Sequence, residues 1–283
     1  MFIVDAQIHI WGVDTPERPW PIYPAATKPN PPHLPVPLSP ETLMPRMDEL
    51  GIRRAILIPP SWEGERNDLV LDAARRYPDR FAAVGRLNTE APDAREQLAA
   101  WRQHPGMIGV QLTFQKPYFE GALRDGHVDW VWPVAERVGT TINLYAPHRL
   151  LPLIDRAAER HPGLRFVINH FALTGTQKDA AAFAEFDQLL ALGKRPNVGV
   201  KVSCMPFYTT EKYPFPSLHP YVRQVYDAFG PRRMFWGTDL SRLPCTWREG
   251  LTMFTEAMPW LTTEDKEWIM GRAVCEWHGW RMP

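Results

Sequence analysis

Residues 2–11 read FIVDAQIHIW, a stretch in which apolar residues alternate with Asp5, Gln7 and His9. Alternation of period two predicts a β-strand whose three polar side chains share one face and whose apolar side chains share the other. A strand that ends in polar residues and continues into a loop is how a (β/α)₈ barrel brings catalytic side chains to its mouth. The stretch therefore predicts the first strand of such a barrel.

Seven further stretches have the apolar character of strands buried in a parallel sheet. Helical patterns separate them, and Pro or Gly stands at the joints where each helix should end. These strand candidates are residues 54–60, 80–87, 107–113, 140–145, 165–170, 198–203 and 234–239. The alternation predicts the α/β class, as one (β/α)₈ TIM-barrel domain over residues 1–283. An open doubly wound sheet is the alternative, but no glycine-rich phosphate turn follows any candidate strand.

A long Pro-rich segment, residues 13–40, separates the first strand from the first predicted helix. Proline fixes φ and lacks a backbone donor, so this segment can be neither helix nor central strand. Trp20, Ile22 and Tyr23 give it apolar groups with which to pack. We predict an ordered cover over the barrel mouth, with a mobile surface loop as the alternative.

The composition limits the kinds of partner that the chain is expected to bind. Lys+Arg and Asp+Glu both number 32, so no net field favours nucleic acid or an anionic membrane, and we expect a small-molecule substrate. Three cysteines without paired spacing indicate reduced thiols and a cytoplasmic protein. Neither a signal peptide nor an apolar run long enough to span a bilayer is read from the sequence. A homo-oligomer remains open.

Polar residues stand at the ends of the predicted strands, where a barrel places its active site. Burying polar groups costs free energy unless they are paired, so a ring of them indicates function. A single histidine at a strand end is more often structural, but His9, His170 and Asp239, at the tips of strands one, six and eight, together favour catalysis. By contrast, Glu63 and Glu65, in the loop after the second strand, are expected on the surface.

The chain resembles the amidohydrolase superfamily, specifically the amidohydrolase-related (amidohydrolase 2) branch. That branch includes sugar-lactone and 2-pyrone-4,6-dicarboxylate lactonases and some metal-dependent decarboxylases. The similar segments are VDAQIHIW at residues 4–11, YPDRFAAVG at 77–85, VINH at 167–170 and WGTD at 236–239. Their order and spacing extend the resemblance over nearly the whole chain.

One departure from the resembled branch concerns its metal. There the first strand typically ends His-x-His, two ligands for one divalent ion, whereas here Gln7 precedes His9. An amide oxygen is a poor ligand for Zn²⁺. His9, His170 and Asp239 remain, and three ligands can hold a catalytic zinc with water in the fourth place. We expect either no cofactor or one divalent metal, zinc by preference, at reduced affinity.

The resemblance implies a hydrolase that opens a lactone or a similar small cyclic ester or amide. We predict Asp239 as general base, with His9 and His170 polarising the carbonyl. A guanidinium offers a bidentate fork to a carboxylate, which points to a carboxylated or sugar-acid substrate. The predicted substrate-binding residues are Gln7, Arg86, Gln111, Tyr145, Lys201 and Arg242. A metal-dependent nonoxidative decarboxylase and a catalytically degenerate binding protein are the alternatives.

Overall fold

The structure, a computed structural model, describes residues 1–22 and 30–282. Eight parallel strands form one sheet in the order of the chain, each hydrogen-bonded to the next. The strands are β1 (Ile3–Ile8), β2 (Ile52–Leu57), β3 (Phe81–Arg86), β4 (Met107–Thr113), β5 (Thr141–Tyr145), β6 (Phe166–Ile168), β7 (Val198–Ser203) and β8 (Met234–Gly237). The predicted (β/α)₈ barrel is confirmed.

Helices connect the strands on the outside of the barrel. They are α1 (Pro40–Leu50), α2 (Asp68–Arg76), α3 (Ala94–Ala99), α4 (Pro117–Arg124), α5 (Val131–Val138), α6 (Leu151–Arg160), α7 (Asp179–Ala182), α8 (Asp187–Leu190), α9 (His219–Phe229), α10 (Trp247–Thr255), α11 (Thr263–Glu267) and α12 (Ala273–His278). Their sequences carry the expected end signals. Ser39 caps α1 in a reciprocal capping box with Thr42, and Gly51 ends the helix at φ 70°.

The first and last strands lie side by side and bring the sheet nearly to closure. The Asp239 amide donates to the Gln7 carbonyl oxygen over 2.9 Å. Gly237 permits this approach, because a Cβ at its position would lie 3.0 Å from the Gln7 nitrogen. The two chain segments that the sequence placed at a common mouth are thus direct neighbours.

Strict alternation fails in β1, so one part of the sequence interpretation is wrong. The register of β1 against β2 shifts between Asp5 and Ile8. Asp5 does not share a direction with Gln7: its Oδ2 accepts from Trp247 on α10, whereas the Gln7 side chain contacts Lys201 on β7. An irregularity of one residue reverses which side of the sheet the following side chains face.

Asp5 instead joins three parts of the barrel. It is fully buried and accepts hydrogen bonds from the Gln7 amide, the Thr238 amide and hydroxyl, and the Trp247 indole. Burial raises the pKa of Asp5 to about 6, although these donors oppose the rise. The carboxylate therefore stabilises the junction of β1, β8 and α10 rather than the mouth.

The expectation that Glu63 lies on the surface is also wrong. Glu63 is 2% exposed, and its Oε1 accepts from the Gly12 amide at 2.8 Å and from Arg18 Nε at 3.0 Å. The pair secures the start of the Pro-rich segment against the loop after β2. Tyr23 and the other residues of 23–29 lie outside the described part of the chain. Among the described residues, no helix combines the length and apolarity needed to cross a membrane.

Candidate active site

Two imidazoles approach one carboxylate at the carboxyl ends of the strands. His9, directly after β1, places Nε2 at 3.2 Å from Asp239 Oδ1. His170, two residues after β6, places Nε2 at 3.9 Å from Asp239 Oδ2. Asp239 itself follows β8 and is 1% exposed. The structure thus brings together the three residues predicted to carry the chemistry, although they lie far apart in sequence.

The hydrogen bond of His9 to the backbone determines what its other nitrogen can do. Nδ1 lies 2.7 Å from the carbonyl oxygen of Ile58, which can only accept, so Nδ1 carries the proton. In the neutral ring, Nε2 then carries a lone pair that is directed at Asp239 Oδ1. Two lone pairs at 3.2 Å repel each other, so the contact requires either a proton on Nε2 or a cation that both atoms can bind.

His170 is held differently. Its Nδ1 lies 2.8 Å from Ser203 Oγ at the end of β7, and its ring meets Tyr145 edge to face with centroids 5.3 Å apart. Burial lowers the pKa of His170 to about 3, against the opposing field of Asp239, so the ring is neutral at pH 7. If the Ser203 hydroxyl donates to Nδ1, Nε2 carries the proton and can donate to a substrate.

Left-handed backbone turns carry these side chains. His170 and the two residues after it have φ of 53°, 56° and 60°, Cys204 has φ 59°, and Asp239 has φ 52°. Such angles are uncommon for residues other than glycine and cluster at functional sites. The turns direct the chain sharply away from the strand ends, so that the side chains at those ends face the centre of the mouth.

The three side chains also have the chemistry of a zinc site. Both histidines use one nitrogen for an oxygen partner and direct the other at Asp239, the arrangement in which protein ligands are usually held. Asp239 Oδ1 is buried without a hydrogen-bond partner among the described residues. Burial alone would raise the pKa of Asp239, but the contact with His9 outweighs it and lowers the pKa, so the group is a carboxylate.

Cys204 is a weaker candidate ligand in the same place. Its sulfur lies within 4.8 Å of ligand atoms of His170 and Asp239. Burial raises the pKa of Cys204 well above its ordinary value, so a metal that bound there would have to displace the thiol proton. Among the described residues, the three ligand atoms that all lie within 4.8 Å of one another are those of His170, Cys204 and Asp239, while His9 contacts Asp239 Oδ1 at 3.2 Å.

Gln7 does not belong to that ligand set. Its Oε1 accepts a hydrogen bond from Lys201 Nζ over 2.8 Å. Lys201 is 0% exposed and lies beneath the mouth, where it reaches Gln7 rather than the open pocket. Burial lowers the pKa of Lys201 to about 7, and Asp239 and Asp5 oppose this change. The predicted substrate contact of Lys201 is thus at most indirect.

A small pocket lies over these residues, and we call it the inner pocket. It has a volume of about 80 Å³ and is bordered by His9, His170 and Asp239 together with Gln7, Gln111 and Asn169. Gln111 accepts from Asn169 Nδ2 over 2.7 Å, which orders both amides. The volume corresponds to a few water molecules, so the inner pocket holds the reacting group rather than a whole substrate.

A wider space, the outer vestibule, adjoins the inner pocket. It measures about 800 Å³ and shares His33, Gln115, Tyr145 and Arg242 with the inner pocket as lining residues. Arg242 stacks on Phe207 at 4.2 Å and donates to the Tyr145 hydroxyl at 3.4 Å. A substrate can therefore place its reactive bond in the inner pocket and the rest of its body in the outer vestibule.

Two guanidinium groups border the inner pocket without a carboxylate partner. Within residues 1–22 and 30–282, neither Arg86 nor Arg242 forms an ion pair. Arg86 is 8% exposed, donates to Thr113 Oγ1 over 3.3 Å, and leaves Nε buried without a hydrogen bond. A buried charge that lacks a counter-ion favours an anionic ligand.

The sequence interpretation missed two residues of the mouth. His33, in the Pro-rich segment, borders both the inner pocket and the outer vestibule, and its Nδ1 lies 2.9 Å from Ser241 Oγ. Its ring meets Trp62 with centroids 4.6 Å apart, and Trp62 in turn packs against His9. Neither residue stands at a strand end, so only the three-dimensional packing of the loops identifies them.

The fold and the site together define a (β/α)₈-barrel enzyme whose polar centre lies at the carboxyl ends of the strands. The amidohydrolase family model matches residues 4–273, so the chain belongs to the amidohydrolase family and is an enzyme of the hydrolase type. The resemblance seen in the sequence is thereby confirmed.

Relatives and solved structures agree with this assignment. The chain is 28% identical over 255 residues to an L-fucono-1,5-lactonase of Burkholderia ambifaria, covering 86% of this chain and 82% of the relative. It is 26% identical over 236 residues to a 4-sulfomuconolactone hydrolase of Hydrogenophaga intermedia, covering 83% of this chain and 73% of the relative. The crystal structure of a Burkholderia multivorans amidohydrolase with bound zinc matches with a TM-score of 0.81 at 18% identity, covering 99% of each chain.

Proposed function

We propose that the chain opens the ring of a lactone that carries an acidic group. The observation that carries this proposal is the approach of His9 Nε2 and His170 Nε2 to the two oxygens of Asp239 at the carboxyl ends of the strands. The lactonase names of the relatives support the same reaction class. Asp239 is the general base, and His9 and His170 polarise the carbonyl.

The reaction follows from the protonation states of the three groups. Asp239 takes a proton from water as the water oxygen bonds to the lactone carbonyl carbon. The carbonyl oxygen becomes an oxyanion, which Nε2 of His9 and Nε2 of His170 stabilise as hydrogen-bond donors. When the ring C–O bond breaks, Asp239 returns its proton to the leaving oxygen. The product is a hydroxy acid, and the three side chains return to their starting states.

A divalent metal is compatible with this site. His9, His170 and Asp239 would hold it, and a bound zinc would polarise the carbonyl as a Lewis acid. The roles of Gln7, Arg86 and Arg242 in holding the substrate do not depend on that ion.

The unpaired guanidinium groups support an acidic substrate. Arg86 borders the inner pocket, and Arg242 lies where the inner pocket meets the outer vestibule. Each can form two parallel hydrogen bonds with a carboxylate. We propose that they bind a carboxylate or similar anion on the substrate, with Gln111 and Tyr145 contacting its hydroxyl or carbonyl groups. The Pro-rich segment, through His33, covers part of the same space.

A screen of lactones tests the proposal. Sugar-acid lactones and unsaturated lactones with and without a carboxylate are incubated with the enzyme at constant pH, and base uptake and CO₂ release are measured with and without a chelator. Base uptake without CO₂, greater for the carboxylated lactones, is the expected result. Release of CO₂ from an aromatic or unsaturated acid would replace the proposal with decarboxylation. Binding of these acids without any turnover would indicate a degenerate binding protein.

A further inference from the structure

A lysine buried inside the barrel determines which way the Gln7 amide points. Lys201 Nζ donates to Gln7 Oε1 over 2.8 Å, and the lysine has no exposed surface. In this hydrogen bond Nζ is the donor and the amide oxygen is the acceptor, so the amide oxygen faces Lys201. The –NH₂ group must then point away from Lys201. Among the described residues, no oxygen accepts a hydrogen bond from Gln7 Nε2, while Gln7 borders the inner pocket beside His9 and Asp239.

We propose that Gln7 and Lys201 form a fixed oxyanion-binding pair. Gln7 donates from Nε2 to the carbonyl oxygen of the lactone, and Lys201 is the positioning residue that holds the amide in this orientation. The inference rests on the proposed lactone hydrolysis and assigns roles to two side chains within it.

The step moves electrons without moving a proton at Gln7. The water oxygen bonds to the carbonyl carbon, and the C=O π pair shifts to the carbonyl oxygen, which becomes negatively charged. The hydrogen bond from Gln7 Nε2 strengthens at this point. When the ring C–O bond breaks, the pair returns to re-form C=O, and the leaving oxygen takes the proton from Asp239. Gln7 is therefore expected to affect kcat more than KM.

The same orientation works against metal binding at residue 7. The only atom of Gln7 with lone pairs suited to a cation lies against the Lys201 ammonium. The amide hydrogens, which face the pocket, would repel a positive ion. The Gln7–Lys201 pair and a metal ligand at residue 7 are therefore mutually exclusive, and any metal here would take its protein ligands from His9, His170, Asp239 and Cys204.

Kinetics of Q7E test the donor role. This variant keeps an oxygen against Lys201 but replaces the pocket-facing –NH₂ with a second oxygen. We expect kcat for an accepted lactone to fall by about a hundredfold to a thousandfold, the effect of losing one oxyanion donor, with KM changed by less than about threefold. K201M, which frees the amide to rotate, should lower kcat by about tenfold, again with little change in KM.

T141V is the matched control, because it removes a buried side-chain hydrogen bond that lies outside the inner pocket. Thr141 Oγ1 bonds to His278 Nδ1 over 2.7 Å inside the barrel and does not border the inner pocket. It should cost stability but leave kcat unchanged. A Q7E enzyme that keeps its kcat, or that loses activity through KM alone, refutes the oxyanion role while leaving lactone hydrolysis standing. If the wild type opens no lactone, the proposed function fails and the oxyanion role fails with it.

Titration with Zn²⁺ alone tests the exclusion of a metal ligand at residue 7 without reference to activity. Metal-stripped wild type, Q7H and the double variant Q7H/K201M are compared by calorimetry. We expect the double variant to bind zinc at least about tenfold more tightly than wild type, because it gains an imidazole and loses the neighbouring ammonium. Equal affinities in the wild type and the double variant would show that the pair does not exclude a ligand.

Discussion

His9 donates its Nδ1 proton to the carbonyl oxygen of Ile58 over 2.7 Å, at the junction of the first two strands. That bond fixes the tautomer, so the nitrogen that faces Asp239 is basic in the neutral ring. The His9–Asp239 contact of 3.2 Å is thus a place where a proton or a cation is stabilised.

D239N should abolish turnover. The amide cannot take a proton from water, and the expected loss in kcat is about a thousandfold, within the range for loss of a general base. Binding of a product hydroxy acid should change little, because Arg86 and Arg242 remain. Kinetics and equilibrium binding with the same acid check this. Turnover within tenfold of wild type would rule out Asp239 as the base.

Substitution of Arg86 by methionine should distinguish acidic from neutral lactones. Loss of the unpaired guanidinium is expected to raise KM for a carboxylated lactone by about tenfold to a hundredfold, equivalent to about 1.4–2.8 kcal/mol. KM for a neutral lactone should stay within about threefold. Arg149 provides the comparison, because it borders the outer vestibule but already pairs with Glu120. R149M should affect both lactones alike, and an R86M enzyme without selectivity would contradict the predicted anion site.

E63Q should loosen the start of the Pro-rich segment. The neutral amide weakens the bonds to the Gly12 nitrogen and to Arg18, and hydrogen bonds to a charged group contribute about 1.5–3 kcal/mol each. Amide hydrogen exchange at Gly12 should accelerate, and KM should rise as the mouth becomes less ordered. D68N removes the more exposed acidic partner of the same arginine and should have little effect. Equal exchange rates in E63Q and wild type would contradict the anchoring role of Glu63.

Acid stability should depend on the buried imidazoles. Burial lowers the pKa of His170 and of His278 to about 3, from an ordinary value of 6.5. Between these values the unfolded chain binds protons that the folded chain does not, so the free energy of unfolding falls as pH falls. Asp5, whose pKa is raised to about 6 from 3.8, opposes this, since the folded chain holds its proton first.

H278Q removes one of the two buried imidazoles and so measures its contribution to the pH dependence. Its free energy of unfolding should fall less steeply than that of wild type between about pH 6 and pH 4, by about 1.4 kcal/mol per pH unit. Urea unfolding at a series of pH values measures the slope. H104Q, at an exposed position, should retain the wild-type slope. A parallel pH dependence in H278Q and wild type would contradict the prediction.

The sequence was sufficient to predict the barrel, because most strands are short apolar runs that follow a helix-terminating residue, such as Gly51 at the end of α1. It did not indicate α4 or α10, which begin at Pro117 and Trp247 directly after loops. The prediction that Asp5 and Gln7 share one face of β1 was wrong because a period-two pattern does not reveal the register shift between Asp5 and Ile8.

The candidate site was predictable only where its residues stand at strand ends. His9, His170 and Asp239 meet as expected because parallel strands place their carboxyl ends together. His33, Trp62 and the burial of Glu63 depend on how loops fold over the mouth, and loop contacts have no sequence period. The Gln7–Lys201 contact likewise spans the barrel interior, between residues that are not hydrogen-bonded neighbours in the sheet.

The left-handed turns at His170, Cys204 and Asp239 bear on any attempt to move this chemistry into another scaffold. Grafting the side chains onto ordinary strand ends would point them elsewhere, since their aim derives from main-chain angles that most residues avoid. A transplanted site would therefore have to include these left-handed turns, and the new scaffold would need a core rigid enough to maintain their backbone angles.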